Sequence, residues 1–158
     1  MSIADVLQEK GIELPPVVVP VANYMLASRS GKVVTSSGFT PKANGVWTVT
    51  GKLNDSRIEE GYEGARLATL NALAALNEMC GGLDNIAKVL KVSGYIVSED
   101  DFHNQSKVLN GASDLLVEIF GDAGRHARFA VGINSLFGNA SIEVTLDVEL
   151  KDESLAKC

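Results

Sequence analysis

Alternating apolar and polar residues mark the last third of the chain. From 126 to 133 the apolar side chains fall on one face of an extended strand and Arg128 falls on the other, because side chains alternate with a period of two. A second alternating run covers 142–150 and places Glu143 on its polar face. Turn-forming residues join the two runs, so the pattern predicts an antiparallel hairpin. It also predicts that Arg128 and Glu143 lie on the same polar side of one sheet.

A long stretch in the middle of the chain has apolar residues every three or four positions, which is the spacing of one helix face. It runs from Ile58 to Met79 and is followed by Gly81 and Gly82, a typical left-handed helix stop. Ser56 and Glu59 stand three residues apart at its start, which predicts a capping box.

A second helix is predicted in the following part of the chain. It begins at a cap formed by Asp100 or Asp101 and reaches Phe120, where Gly121 ends it. Its apolar stripe consists of Val108, Ala112, Leu115 and Ile119.

Residues 1–16 form a lead-in to the predicted domain. Ser2 can cap a short helix over 3–10 that Gly11 ends, and the prolines at 15 and 16 force an extended segment. Strands are predicted at 17–27, 32–36, 46–50 and 86–97.

The order of these elements is typical of an α+β domain in which two helices pack on one face of a mixed sheet. A length of 158 residues suits a single domain over 1–158. Two helices cover only one face of such a sheet. A monomer could leave the other face in water, whereas a symmetric oligomer could cover it and enclose Arg128 and Glu143.

The charge of the chain argues against a nucleic-acid partner. The formal net charge is -6 at pH 7, and Lys and Arg form no cluster that could follow a phosphate backbone. Cys80 and Cys158 lack the spacing of a metal or redox site. Neither a secretory leader nor an apolar run of membrane-spanning length is present, so a cytoplasmic protein is expected.

The predicted pairing of Arg128 with Glu143 permits two interpretations. A fixed cation beside a titratable carboxylate on a rigid sheet would suit a small carboxylate substrate. Antiparallel sheets also commonly show one polar face to water, and such a face needs no ligand. Spacing alone leaves both interpretations open.

Short motifs are spread along the chain from Pro20 to Leu150. They are Asn23-Tyr24, Thr35-Ser36-Ser37-Gly38, Ala65–Asn77, Asp101-Phe102, Asn110, Ala127-Arg128 and Ile142-Glu143-Val144. In this order they resemble the Rid family, the reactive-intermediate (enamine/imine) deaminases, also known as the liver perchloric-acid-soluble protein family. The chain is most similar to a slightly longer subgroup marked by Val-Ala-Asn-Tyr, Asn-Gly-Ala-Ser-Asp-Leu and Gly-Arg-His-Ala-Arg.

The resemblance implies a chorismate-mutase-like α+β fold and a homotrimer with three clefts between subunits. In each cleft Arg128 would fork the carboxylate of a small imino or keto acid. Glu143 would hold the water that attacks the imine carbon and would relay protons to the leaving ammonia. The resemblance implies no metal and no cofactor. The other pocket positions that it implies are Tyr24, Ser37, Gly38, Ala130 and Asn110.

Two positions depart from the family pattern. Ala130 stands where the family often has Cys, which leaves only a backbone carbonyl there, and Phe39 stands where Gln is common.

Three functions therefore compete. The first is hydrolysis of 2-imino or 2-enamino acids to 2-keto acids and ammonia. The second is a trimeric binding module for small carboxylates without turnover. The third is ribonuclease activity, which the acidic charge disfavours.

Overall fold

The computed structural model describes all residues 1–158 and contains three α-helices, a five-stranded sheet and a separate two-stranded hairpin. The helices are α1 (Ile3–Lys10), α2 (Ile58–Met79) and α3 (Gln105–Phe120). The strands of the sheet are β1 (Ala27–Ser30), β2 (Val33–Ser36), β5 (Ile86–Val97), β6 (Ala127–Ile133) and β7 (Ile142–Leu150). The hairpin consists of β3 (Lys42–Ala43) and β4 (Val46–Trp47).

The sheet has the strand order β1-β2-β7-β5-β6, and only the β5–β6 pair is parallel. Helix α2 packs on β7, and α3 packs on β5 and β6. The inner faces of these elements share a hydrophobic core of 29 buried residues. The structure therefore confirms the predicted α+β architecture, a mixed sheet with two helices on one face. We refer to the opposite side of the sheet as the open face.

The predicted hairpin of β6 and β7 is wrong, because β5 lies between these two strands and pairs with both. Strands β5 and β6 are parallel and are connected through α3, as a parallel pair requires a crossover. The segment 134–141 then crosses the end of β5 to reach β7. A loop of this length can span the extra strand, since neighbouring strands are only about 4.8 Å apart.

The register of the sheet separates Arg128 from Glu143. Arg128 aligns with Val92 and Leu146, which are buried beneath the helices. Glu143 aligns with Tyr95 in a row that faces the other way. Because residues in one row of a sheet share a face, the prediction that Arg128 and Glu143 share a polar side is wrong.

The apolar side chains of β6 occupy the open face instead of the core. Phe129 aligns with Ser93, and Val131 aligns with Tyr95. The Phe129 and Tyr95 rings pack edge to face with centroids 5.6 Å apart, and Val131 is 41% exposed. An apolar patch is thus left without cover on this side of the sheet.

The start of α2 differs from the predicted capping box. A 3-10 turn, Asp55–Arg57, precedes the helix, and Asn54 Oδ1 accepts a hydrogen bond of 3.1 Å from the backbone N–H of Ser56. Asn54 therefore caps this turn, while Arg57 at the start of α2 has no side-chain capping bond. The glycines predicted to end α2 both have positive φ, 77° at Gly81 and 115° at Gly82.

The start of α3 also lies later than predicted. The helix begins at Gln105, and neither Asp100 nor Asp101 caps it. The backbone N–H of Phe102 bonds to Glu99 O at 3.0 Å in a preceding turn, and Phe102 is buried in the core. Because the turn that buries Phe102 includes Asp100 and Asp101, these residues do not form the first turn of α3.

The amino-terminal region is partly as predicted. Ser2 caps α1, and Gly11 ends it in the left-handed conformation. The predicted strand 17–27 is wrong, because residues 17–26 join no sheet and the strand begins only at Ala27. Pro20 has no N–H to donate to a neighbouring strand, which disfavours pairing of this segment.

Candidate functional site

A pocket of about 190 Å³ opens beside the first residues of β7. Its wall comes from the irregular segment 18–26, from 37–42 together with Trp47, and from the loop residues 136–137. Glu143 of β7 reaches it from the sheet, and Asn71 reaches it from α2. Four of the residues predicted from the sequence line this pocket, namely Tyr24, Ser37, Gly38 and Glu143.

Glu143 is the only carboxylate among the residues that line the pocket. Burial raises the pKa of its carboxyl above the usual range, because the charged form loses solvation. Gly38 lies so close that a Cβ at this position would collide with Glu143 Oε1. A raised pKa moves a carboxylate toward the range that suits proton transfer near neutral pH. The pocket therefore holds one residue able to act as a general base.

Backbone hydrogen bonds place Gly38 against Glu143. Phe39 exchanges two hydrogen bonds of 2.9 Å with Val144, the neighbour of Glu143 on β7. On the other side, Ser37 N donates to Leu26 O at 2.8 Å, and Ser37 Oγ donates to Met25 O at 2.6 Å. This segment is therefore fixed both to the sheet and to the chain that carries Tyr24, which is 48% exposed.

Aromatic side chains form another wall of the pocket. Trp47 Nε1 donates to Thr40 Oγ1 at 3.0 Å, and Lys42 Nζ lies 4.2 Å from the centroid of the Trp47 ring. The Phe137 ring meets Trp47 edge to face, with centroids 5.6 Å apart, and is itself 81% exposed. Neither Trp47 nor Phe137 was predicted from the sequence to be a site residue. The sequence did contain one signal for Phe137, because an apolar ring stands there within a loop of turn-forming residues.

Arg128 does not line the pocket. It belongs to a group that we call the edge cluster, which consists of Ser113, His126 and Arg128. Arg128 Nη1 donates to Ser113 Oγ at 3.0 Å, and Nη2 donates to Ser106 O at 3.3 Å. His126 Nε2 lies 2.9 Å from Ser113 Oγ, and its Nδ1 lies 2.5 Å from Gly124 O. A carbonyl can only accept, so Nδ1 carries a proton in this arrangement. The guanidinium is thereby held against α3 on the edge strand β6.

Ala130 and Asn110 belong to the same side of the molecule as Arg128. Ala130 lies two residues after Arg128 on β6, aligns with Gly94 and packs against the core. Asn110 lies on α3, four residues after Ser106 and three before Ser113, which is the spacing of one helix face. The seven predicted site residues thus form two groups within one chain: four line the pocket and three lie near the free edge of β6.

The structure contains no group of three or more His, Cys, Asp or Glu side chains arranged to hold a metal ion. None of its helices combines the length and the apolar character that crossing a bilayer requires.

Residues 5–150 match the model of the family described as "YjgF/chorismate_mutase-like, putative endoribonuclease". Among curated proteins, the chain is similar to Protein TCP17 of Trypanosoma cruzi. The two are 38% identical over 148 residues, and the match covers 92% of each chain.

Solved structures agree with the fold. A Shewanella oneidensis MR-1 protein with the same endoribonuclease description is 37% identical, with a TM-score of 0.90 over 95% of this chain and 100% of that one. The Agrobacterium tumefaciens protein Atu1372 is also 37% identical, with a TM-score of 0.85 over 94% of this chain and 92% of its own. Escherichia coli TdcF with bound serine is 18% identical, with a TM-score of 0.58 over 86% and 93% of the two chains, and shares the fold alone.

Proposed function

Because the chain belongs to the YjgF/chorismate mutase-like family, we propose that it hydrolyses reactive 2-imino and 2-enamino acids to 2-keto acids and ammonia. The observation that carries this proposal is the half-buried Glu143 carboxylate, whose pKa is raised and which Gly38 contacts within a preformed pocket. An imine carbon is electrophilic, so hydrolysis needs mainly a positioned water and a group that moves protons.

In the proposed reaction, Glu143 accepts a proton from water while the water oxygen bonds to C2 of the protonated imine. The resulting carbinolamine carries one hydroxyl and one amine on C2. Glu143 passes that proton to the amine and the C–N bond breaks, so that ammonia leaves. The hydroxyl gives its proton back to the Glu143 carboxylate and becomes the keto oxygen. A 2-enamino acid first takes a proton from solvent on C3 and becomes the same protonated imine. The net change is addition of one water and loss of one ammonia.

The proposal includes a homotrimer in which Arg128 of one subunit meets the pocket of its neighbour. Two observations support this arrangement. Within one chain Arg128 and Glu143 lie on opposite faces of the sheet, so one subunit alone does not bring the cation to the pocket. The apolar patch formed by Phe129 and Val131 also lies on the open face, where a second subunit could cover it. The single-domain extent 1–158 and a cytoplasmic location remain predictions.

The same observations favour an enzyme over the two alternatives. A binding module for carboxylates would gain nothing from a carboxylate inside its own pocket, because like charges repel. A ribonuclease would need cations along a phosphate backbone, yet Lys42 is the only cation that lines the pocket, and the net charge is -6.

The test is turnover of freshly generated imine by the Glu143→Gln variant. An amino-acid oxidase supplies the imine, and semicarbazide captures whatever remains unhydrolysed. We expect the wild-type protein to compete with semicarbazide, and Glu143→Gln to lower turnover by about 10²–10⁴, the contribution of a positioned acid or base. Keto-acid binding, measured by calorimetry, should survive in the variant.

Glu149→Gln is the matched control, since Glu149 lies on the same strand and the same face, six residues from Glu143. It should retain wild-type turnover. A wild-type protein that leaves the spontaneous rate unchanged would refute the enzyme and favour the binding module. Full turnover in Glu143→Gln would remove Glu143 as the base.

A further inference from the structure

We infer that the pocket selects imino acids whose side chain is aromatic or branched aliphatic. The inference rests on the proposed function and names the substrate class of the same pocket. Nine of the 15 lining residues are hydrophobic. Glu143 is the one carboxylate among these lining residues, so most of the surface that a substrate would meet in the pocket is apolar.

The charges in the pocket determine how a 2-imino acid can lie in it. The imine carbon must be close to the water that Glu143 activates. The substrate carboxylate is repelled by Glu143, which is ionised when it acts as a base. It therefore points away from Glu143, toward the pocket mouth, where a neighbouring subunit would supply Arg128. The remaining substituent on C2 is the side chain, and it points into the apolar part of the pocket.

The volume of the pocket distinguishes between small and large side chains. The pocket measures about 190 Å³. An apolar cavity of about 150 Å³ is large enough to bind benzene, so this one can hold a phenyl ring or a branched aliphatic group. A methyl side chain would leave most of the apolar wall without a partner and would gain little from burial.

The rim of the pocket is apolar as well. Phe137 is 81% exposed, Val19 is 77% exposed and Val21 is 84% exposed, and all three line the pocket. Large apolar side chains grouped at the mouth of a cleft are typical of a surface that binds an apolar ligand. The interior of the pocket is apolar at Phe39, which is buried. The family that the chain resembles commonly has Gln at this position.

The competing substrate class is imino acids with an acidic side chain. Such a side chain would have to pair with Lys42, which is the only cation that lines the pocket. Its ammonium lies over the Trp47 ring, 4.2 Å from the centroid, so it already has a favourable partner. An acidic substituent would also have to enter the wall formed by Phe39 and Trp47 and lose its hydration there. The apolar class is therefore favoured.

The experiment compares three imines, derived from phenylalanine, alanine and glutamate, each generated by a suitable amino-acid oxidase with semicarbazide as competitor. We expect kcat/KM for the phenylalanine imine to exceed the other two by about tenfold or more, the discrimination typical of an apolar pocket. Equal or better turnover of the alanine or glutamate imine overturns the inference and leaves the proposed function standing. No acceleration of any imine overturns the proposed function, and the inference with it.

A pair of variants attributes the preference to the pocket. Phe137→Ala removes an exposed ring, so the fold is not at risk. The variant should lower kcat/KM for the phenylalanine imine by about three- to tenfold. It should change kcat/KM for the alanine imine by less than about twofold. Val46→Ala is the control, an exposed apolar side chain of the neighbouring hairpin that does not line the pocket. Phe39→Gln should reduce the preference further. An equal loss on both imines in Phe137→Ala would contradict a role in side-chain selection.

Discussion

At the scale of single residues, Glu143 combines a proposed catalytic role with a cost in stability. Burial raises the pKa of its carboxyl in the folded chain above the value in the unfolded chain. Between these two pKa values the folded chain binds more protons than the unfolded chain, so the free energy of unfolding falls as pH rises. Above the folded pKa the ionised carboxylate remains a net destabilising group.

The fall of the free energy of unfolding with rising pH leads to a prediction about Glu143→Gln. At neutral pH the variant should be more stable than the wild type, because a neutral amide replaces a poorly solvated charge. The difference should disappear as pH falls from about 8 to about 4, below the ordinary pKa of glutamate, since the wild-type carboxyl is then neutral as well. Urea unfolding of both proteins across this range measures it, with Glu149→Gln as control. A variant less stable than wild type at every pH would show that the carboxylate makes a stabilising contact.

At the scale of elements, α3 and β6 meet through the edge cluster. Two of the sequence motifs that mark the subgroup come together here: Asn-Gly-Ala-Ser-Asp-Leu on α3 supplies Ser113, and Gly-Arg-His-Ala-Arg supplies His126 and Arg128. Ser113 Oγ lies within hydrogen-bond distance of both partners. A hydroxyl can donate once and accept from others, so Ser113 Oγ can bond to the imidazole and to the guanidinium at the same time. The two motifs thus form one hydrogen-bonded group that orients Arg128.

This arrangement predicts that Ser113→Ala weakens substrate binding without abolishing turnover. Loss of one hydrogen bond to a charged group should cost about 1.5–3 kcal/mol in the positioning of Arg128, which corresponds to a rise in KM of about tenfold or more. Turnover at saturation should change little, because Glu143 is untouched. Ser106→Ala is the matched control on the same helix, since Arg128 contacts only its backbone carbonyl and that group remains. A fall in kcat at unchanged KM would exclude this role.

At the scale of the whole molecule, the two groups of site residues explain why an oligomer is proposed. The pocket and the edge cluster lie on different strands and different faces, and β6 is an edge strand with one neighbour. A closed ring of subunits can bring the edge cluster of one copy to the pocket of the next through identical contacts.

Mixing two inactive variants tests this arrangement. At a substrate concentration well below KM, Arg128→Ala and Glu143→Gln should each be nearly inactive alone. When the two are dissociated, mixed in equal amounts and reassembled, about one quarter of the interfaces should combine an intact Arg128 with an intact Glu143, and turnover should recover to about that fraction. Sedimentation equilibrium should give three times the monomer mass of 16.7 kDa. A monomer at micromolar concentration, or no recovery after verified mixing, would contradict a site shared between subunits.

The elements that depend on local physics were predictable from the sequence. Helix α1 between Ser2 and Gly11, the apolar face and glycine stop of α2, and strand β5 at 86–97 follow from side-chain periodicity, hydrogen-bonding caps and the conformational freedom of glycine. These signals act over a few residues, so the chain carries them wherever it folds. The motifs likewise led to Tyr24, Ser37, Gly38 and Glu143, which the structure brings together in one pocket.

Tertiary structure alone decided which strands are neighbours and which way each one faces. An alternating strand has the same pattern whichever of its faces is turned inward, and a short loop can join adjacent strands or cross over one between them. Competition among strands for partners placed β5 between β6 and β7, and this turned Arg128 toward α3 and Phe129 toward the open face. The pocket wall has the same origin, because Trp47 and Phe137 are far apart in sequence and meet only when 134–141 crosses the end of β5.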